Sequence, residues 1–172
     1  MAKSAGFTIT ELMITIAILG VLVGIALPSF SQMLRNYQTR SAAESVANGL
    51  QRARAEAVSR NSSMQFVLGT GTAWTVDYVT KPVPTDPPLD SRPSTDSPYA
   101  TLSTTPAGAT TITYNNLGQV VANADASATL SQVNFDATGG NQSLRVVILA
   151  GGTSRMCDPS LPSTNVRSCS HP

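Results

Sequence analysis

The apolar positions of this chain fall into two regimes. Between Leu12 and Leu34 no charged residue occurs, and Leu12–Leu27 reads LMITIAILGVLVGIAL. Counted from Phe7, the apolar stretch runs to about 21 residues, enough for a helix to cross a hydrocarbon core of roughly 30 Å. Beyond it the pattern turns periodic. Ala42, Val46, Leu50, Ala53 and Ala57 recur at steps of three and four, the stripe of an amphipathic helix. Arg35, Arg40, Arg52, Arg54 and Arg60 fall mostly off that stripe and read as a solvated face, with Arg52 and Glu56 spaced as an i,i+4 pair. Together these segments predict one helix from Phe7 to about Arg60, roughly 80 Å long. Pro28 should kink it where the two regimes meet.

After residue 62 the period shortens. Met64–Leu68, Ala73–Val79, Thr110–Tyr114, Gln132–Phe135 and Leu144–Leu149 suit strands, separated by turn formers at Gly69, Gly71, 115–118 and Gly139-Gly140. The segment from Lys81 to Tyr99 carries Pro82, Pro84, Pro87, Pro88, Pro93 and Pro98, which excludes a helix or a central strand and predicts a mobile surface loop, with a PPII ligand for another domain as the sharper alternative. The fold class expected is α+β: a long N-terminal helix, membrane-spanning in its first half, packed on a small antiparallel β-sheet domain.

Composition narrows the chemistry. The 172 residues carry 11 Lys+Arg against 10 Asp+Glu, so a strongly basic nucleic-acid coat is excluded, although a local basic patch is not. Aromatic residues make up only 5%, too few for an extended base-stacking platform. With one histidine, His171, and two cysteines, a zinc site, a Ser-His-Asp triad or a Cys-His pair has almost no material. No enzyme, metal or cofactor is expected.

The N-terminus resembles a cleaved signal peptide in its cationic start at Lys3, and Ser29-Phe30-Ser31 would pass as a weak cleavage site. Two features oppose that. The apolar run exceeds the usual h-region, and Glu11 stands inside its entrance, where an ionised group is costly. A retained membrane helix is the better reading.

The string GFTITELMITIAILGVLVGIALPSF, Gly6–Phe30, resembles the N-terminus of type IV prepilins and type II secretion pseudopilins. The resemblance implies a leader at 1–6, cut between Gly6 and Phe7 by prepilin peptidase, with Phe7 then N-methylated. It further implies that Glu11, as the fifth mature residue, pairs in a filament with a neighbour's N-terminal amine and sets axial register. Such an ion pair is strong where water is absent. The plainer alternative is a Glu11 that snorkels to the headgroups.

LQRARAEAVSRNSS at Leu50–Ser63, then GTAWTVDYV, ITYNNLGQV and the RMCDP box at Arg155–Pro159, are similar to the minor pilins and pseudopilins of the GspH/FimT (FimU-like) family. The expected organisation is a transmembrane and assembly helix at 7–30, an amphipathic half at 31–62 and a β-rich domain at 63–172. That domain would contain the Pro-rich loop at 81–99. The family implies an inner-membrane, single-pass subunit with a periplasmic C-terminal domain, later placed in a filament near its tip. Its implied partners are prepilin peptidase, other minor pilins and the major pilin or pseudopilins, and inner-membrane lipid before assembly. In that compartment Cys157 and Cys169 are free to form a disulfide closing a loop at 157–169. Two thiols with His171 as a metal site is a remote alternative.

Some FimT-like members take up DNA through a Gly-Arg-x-Arg pattern. Here the matching stretch is Gly152-Thr153-Ser154-Arg155, without the first Arg. Arg145, Arg155 and Arg167 remain as candidate phosphate contacts, able to give weak, salt-sensitive DNA binding at most. Three functions follow: a minor pilin that initiates or caps a type IV pilus, a GspH-type pseudopilin of type II secretion, and a DNA-receptor pilin.

Overall fold

The computed structural model describes residues 6–170; the leader residues 1–5, with Lys3, and His171 lie outside the described residues. Ile9–Ser59 forms a single α-helix, α1, which continues through Pro28. Pro28 has no amide for the carbonyl one turn back, and the Ser31 hydroxyl donates to the Pro28 carbonyl at 2.9 Å. The predicted stripe is the face that α1 buries. Ala42, Val46, Leu50, Ala53 and Ala57 are all at most 1% exposed. Small side chains dominate this face, and they let strands approach the helix closely.

The strands are β1 (Met64–Leu68), β2 (Trp74–Tyr78), β3 (Asp90–Arg92), β4 (Ala100–Thr105), β5 (Thr111–Tyr114), β6 (Val120–Val121), β7 (Gln132–Ala137), β8 (Leu144–Ile148) and β9 (Ser154–Cys157). They form two antiparallel sheets, in the orders β3-β2-β1-β5-β6 and β4-β7-β8-β9. Helix α1 packs against strands of both. Each sheet offers alternate residues to it: Met64, Phe66 and Leu68 from β1, and Leu144, Val146 and Ile148 from β8, are buried while their neighbours are not. The expected class, a long helix packed on antiparallel β structure, holds; which strands share a sheet is not legible in the sequence, because β4, ATLSTT, pairs with β7 without a marked apolar alternation of its own.

The Pro-rich loop is more ordered than expected. It contributes β3 at the edge of the first sheet, where prolines are tolerated, and a short 3-10 turn at Ser94–Asp96. Arg92 ties this edge to the helix, donating from Nη1 to the Ser41 carbonyl at 2.9 Å. Lys81 pairs with Asp77 at 2.6 Å and donates to the Asp86 carbonyl, holding the start of the loop against β2.

Candidate assembly surface

Helix α1 has two halves of opposite character. Every residue from 6 to 34 is exposed, including Phe7 at 85% and Ile25 at 73%, whereas the buried residues of α1 begin at Thr39. The exposed half is roughly 40 Å long at 1.5 Å per residue, and its sole charged side chain is Glu11. Among the described residues, no part of the globular domain covers it. A surface this apolar requires a lipid or protein partner.

Its N-terminus is built around Thr8 and Glu11. Thr8 has an extended backbone and caps the helix: its hydroxyl accepts from the Glu11 amide at 3.2 Å, and Glu11 Oε2 accepts from the Thr8 amide at 3.1 Å. The Thr8 hydroxyl also lies 3.1 Å from the same Oε2. This is a reciprocal capping box. The cap gives Glu11 a role besides the assembly charge expected of it, and its T-x-x-E spacing is readable in the sequence. Both contacts fall on Oε2, and Oε1 meets no donor among the described residues.

Several arginines expected to be solvated instead fasten the domain to α1. Arg35 Nη1 donates to the Thr138 carbonyl at 2.6 Å, and Arg54 Nε to the Gly118 carbonyl at 2.9 Å. Gly139, at a φ of +74°, leaves room for the Arg35 guanidinium, which a Cβ would strike. Arg52 and Arg60 both pair with Glu56, which is 9% exposed. The hydrogen bond from Arg60, aided by the charge of Arg52, holds the Glu56 carboxyl below the usual carboxylate range despite its burial. Arg40 pairs with Glu44, both about half exposed, as a surface ion pair.

At the other end of the chain Cys157 is bonded to Cys169, with Cα atoms 4.9 Å apart. The loop between them folds back so that the Asp158 amide donates to the Arg167 carbonyl at 2.8 Å. Arg145 and Arg155 lie on neighbouring strands and share the outer face of the second sheet, since Arg145 stands opposite Cys157 and Val147 opposite Arg155. Both make internal contacts: Arg145 Nε donates to Asn134 Oδ1 at 2.7 Å, and Arg155 Nη2 lies 3.5 Å from the Cys169 carbonyl. Arg167 is exposed on the disulfide loop. Among the described residues no cluster of His, Cys, Asp or Glu could hold a metal ion.

Residues 42–158, which include the buried stripe, all of the strands β1 to β9 and the first cysteine, match the family model of the type II transport protein GspH. The chain belongs to the GspH family. This GspH-family chain also matches the prokaryotic N-terminal methylation motif over residues 1–27, which implies processing by prepilin peptidase and assembly with other pilin-like subunits. The type IV minor pilin FimU of Pseudomonas aeruginosa is similar in fold, with a TM-score of 0.54 at 20% identity, covering 77% of this chain and 96% of that one. A second crystal form of FimU gives 0.51 at 22% identity, with coverages of 76% and 98%. The minor pseudopilin EpsH from the type 2 secretion system of Vibrio cholerae gives 0.53 at 14% identity, with coverages of 72% and 99%. The GspH-family chain is thus a pilin-like subunit, a class of structural proteins, and its apolar N-terminal helix is suited to a membrane anchor.

Proposed function

We propose that this protein is a non-catalytic minor pilin that helps to initiate or cap a type IV pilus. The observation that carries the reading is the uncovered apolar half of α1 with Glu11 at its start. Prepilin peptidase cuts between Gly6 and Phe7, and Phe7 becomes the N-methylated terminus. The chain then waits in the inner membrane with its C-terminal domain in the periplasm. In the filament the apolar half packs among the corresponding helices of other minor pilins and the major pilin. There Glu11 accepts a neighbour's terminal amine while Oε2 keeps its cap, because Oε1 is open to a second donor. The disulfide loop 157–169 and the loop 81–99 sit on the domain surface, where they would meet adjoining subunits near the tip.

A pseudopilin role in type II secretion is the second reading, favoured by the description of the matching family as a type II transport protein. DNA uptake has less support, since Arg145 is engaged by Asn134 and the Gly-Arg-x-Arg pattern is incomplete.

The test is the amount of major pilin sheared from cells that lack this protein. A large loss, restored by the wild-type chain, is expected. Undiminished pili together with a defect in exoprotein secretion would replace the first reading by the second.

A further inference from the structure

The collar of α1 that follows its apolar half is tied to the globular domain at one level. Asn36 Nδ2 donates to Asn141 Oδ1 at 2.7 Å, the Asn141 amide returns a bond to Asn36 Oδ1 at 3.2 Å, and the Tyr99 amide donates to Gln38 Oε1 at 3.2 Å. With the bond from Arg35 to Thr138, these fix Tyr99 and the turn at 138–141 at the height of residues 35–38. The Arg35 guanidinium carbon lies 5.4 Å from the Tyr99 ring centroid.

That height is set by arithmetic. From Ile9 to Leu34 the helix is roughly 40 Å long, close to the thickness of a bilayer with its headgroup layers, about 40–45 Å. A chain whose N-terminus starts at the inner headgroups therefore brings Arg35 out in the outer headgroup layer. The side chains waiting there suit that layer. Tyr37 is 68% exposed and Tyr99 48% exposed, and tyrosine rings favour the membrane–water interface. Arg35 belongs to none of the ion pairs among the described residues; its partners are a carbonyl and a ring. The carboxylate of Asp136, two residues before Thr138, accepts from the Ser143 hydroxyl at Oδ1.

We propose that Arg35, Tyr37, Tyr99 and the turn 138–141 form a docking surface for phosphodiester lipid headgroups, which holds the globular domain down on the outer face of the bilayer before assembly. The inference rests on the reading that the first half of α1 spans the membrane. Arg35 donates to headgroup phosphate from the nitrogens that Thr138 does not occupy, while the two tyrosines lie among the glycerol and carbonyl groups. Leaving the membrane for a filament then includes releasing these headgroup contacts.

The test places tryptophan probes in the full chain, reconstituted in vesicles of phosphatidylcholine and phosphatidylglycerol that carry a nitroxide on the headgroup. Co-flotation with the vesicles reports membrane insertion independently of the probe. Tyr99→Trp should lose at least about twofold more fluorescence to the label than Leu117→Trp, since only the first ring shares the interfacial layer with the nitroxide. Leu117 is exposed and lies in the turn that Arg54 fastens near the far end of α1. The wild-type chain, with Trp74 buried, supplies the background. Thr138→Trp is a second domain probe, so that a folding failure of Tyr99→Trp leaves the test decisive. Floating protein whose probes at 99 and 138 are quenched no more than the probe at 117 would overturn the docking surface and leave the membrane span intact. Protein that does not float would overturn the span, and the docking surface with it.

Discussion

Gly49 of α1 lies so close to Phe66 of β1 that a Cβ placed on Gly49 would stand 2.8 Å from the ring carbon Cε2. The same Cβ would meet Trp74 at 3.1 Å. Neither ring can yield freely. They pack on each other with centroids 5.6 Å apart, and Trp74 Nε1 donates to Ser45 Oγ at 2.9 Å, one turn earlier on the same helix. Gly49 is therefore a point of close approach between the helix and the first sheet. Gly49→Ala would gain about 1 kcal/mol of helix propensity, but overpacking against two aromatic rings costs about 1–3 kcal/mol. A net loss of stability is expected in denaturant unfolding; a variant more stable than wild type would show that the rings move aside at little cost.

Glu56 makes stability depend on pH. Its carboxyl is held low by the Arg60 hydrogen bond and the Arg52 charge, so the folded chain keeps it ionised at pH values where the unfolded chain protonates it. That contribution is complete above the ordinary carboxylate value of about 4.3 and is lost as pH falls through the lower folded value. Urea unfolding between pH 7 and 3 should therefore show a decline below about pH 4.5 that Glu56→Gln flattens. Equal slopes in the two proteins would remove Glu56 from the account.

The disulfide should be worth about 3 kcal/mol by the chain-entropy model for a loop of this size, with a sequence separation of 12. Reduction should lower the melting temperature and loosen the loop where Asp158 meets Arg167 and Ser168. Thiol titration of folded, periplasm-derived protein should find no free cysteine.

Arg54 reaches across to the carbonyl of Gly118, 64 residues later in the chain. Arg54→Met keeps much of the stem's packing and removes the donor, so a loss of about 1.5–3 kcal/mol is expected for a charge-assisted bond. Amide hydrogen exchange should rise first at Gly118 and Gln119, in the turn that Asn115 also closes. Uniform destabilisation without local exchange would contradict that anchoring role.

Glu11 combines a cap and a charge, and Glu11→Ala would remove both. Glu11→Gln separates them, because glutamine can complete a capping box but cannot neutralise an amine. Loss of sheared pili with Glu11→Gln to the level of the deletion strain is expected if the charge acts in assembly. Full piliation with Glu11→Gln would assign Glu11 to the cap alone.

The long helix was legible because its causes are local. An uncharged run and then a stripe at helical spacing show which residues meet a partner, and the stripe from Ala42 to Ala57 is buried as its spacing requires. Five of the strands announced themselves in the same way, through β-branched and aromatic residues bounded by glycine and asparagine. Sequence also held the signal for the Thr8–Glu11 cap, in four residues. The division into two sheets was a different kind of fact. In β4, Leu102 stands opposite Phe135 and Thr104 opposite Val133, so its pairing depends on β7, a segment some thirty residues away that carries the stronger pattern. The arginines were hidden for a related reason. Arg35, Arg40 and Arg54 look alike in a list of residues, and each is long enough to reach solvent, a carboxylate or a carbonyl. Only the folded chain decides, by bringing Thr138 to Arg35, leaving Arg40 with Glu44 and setting Gly118 against Arg54. Periodicity determines which face a segment buries; what it is buried against is a property of distant residues meeting in space.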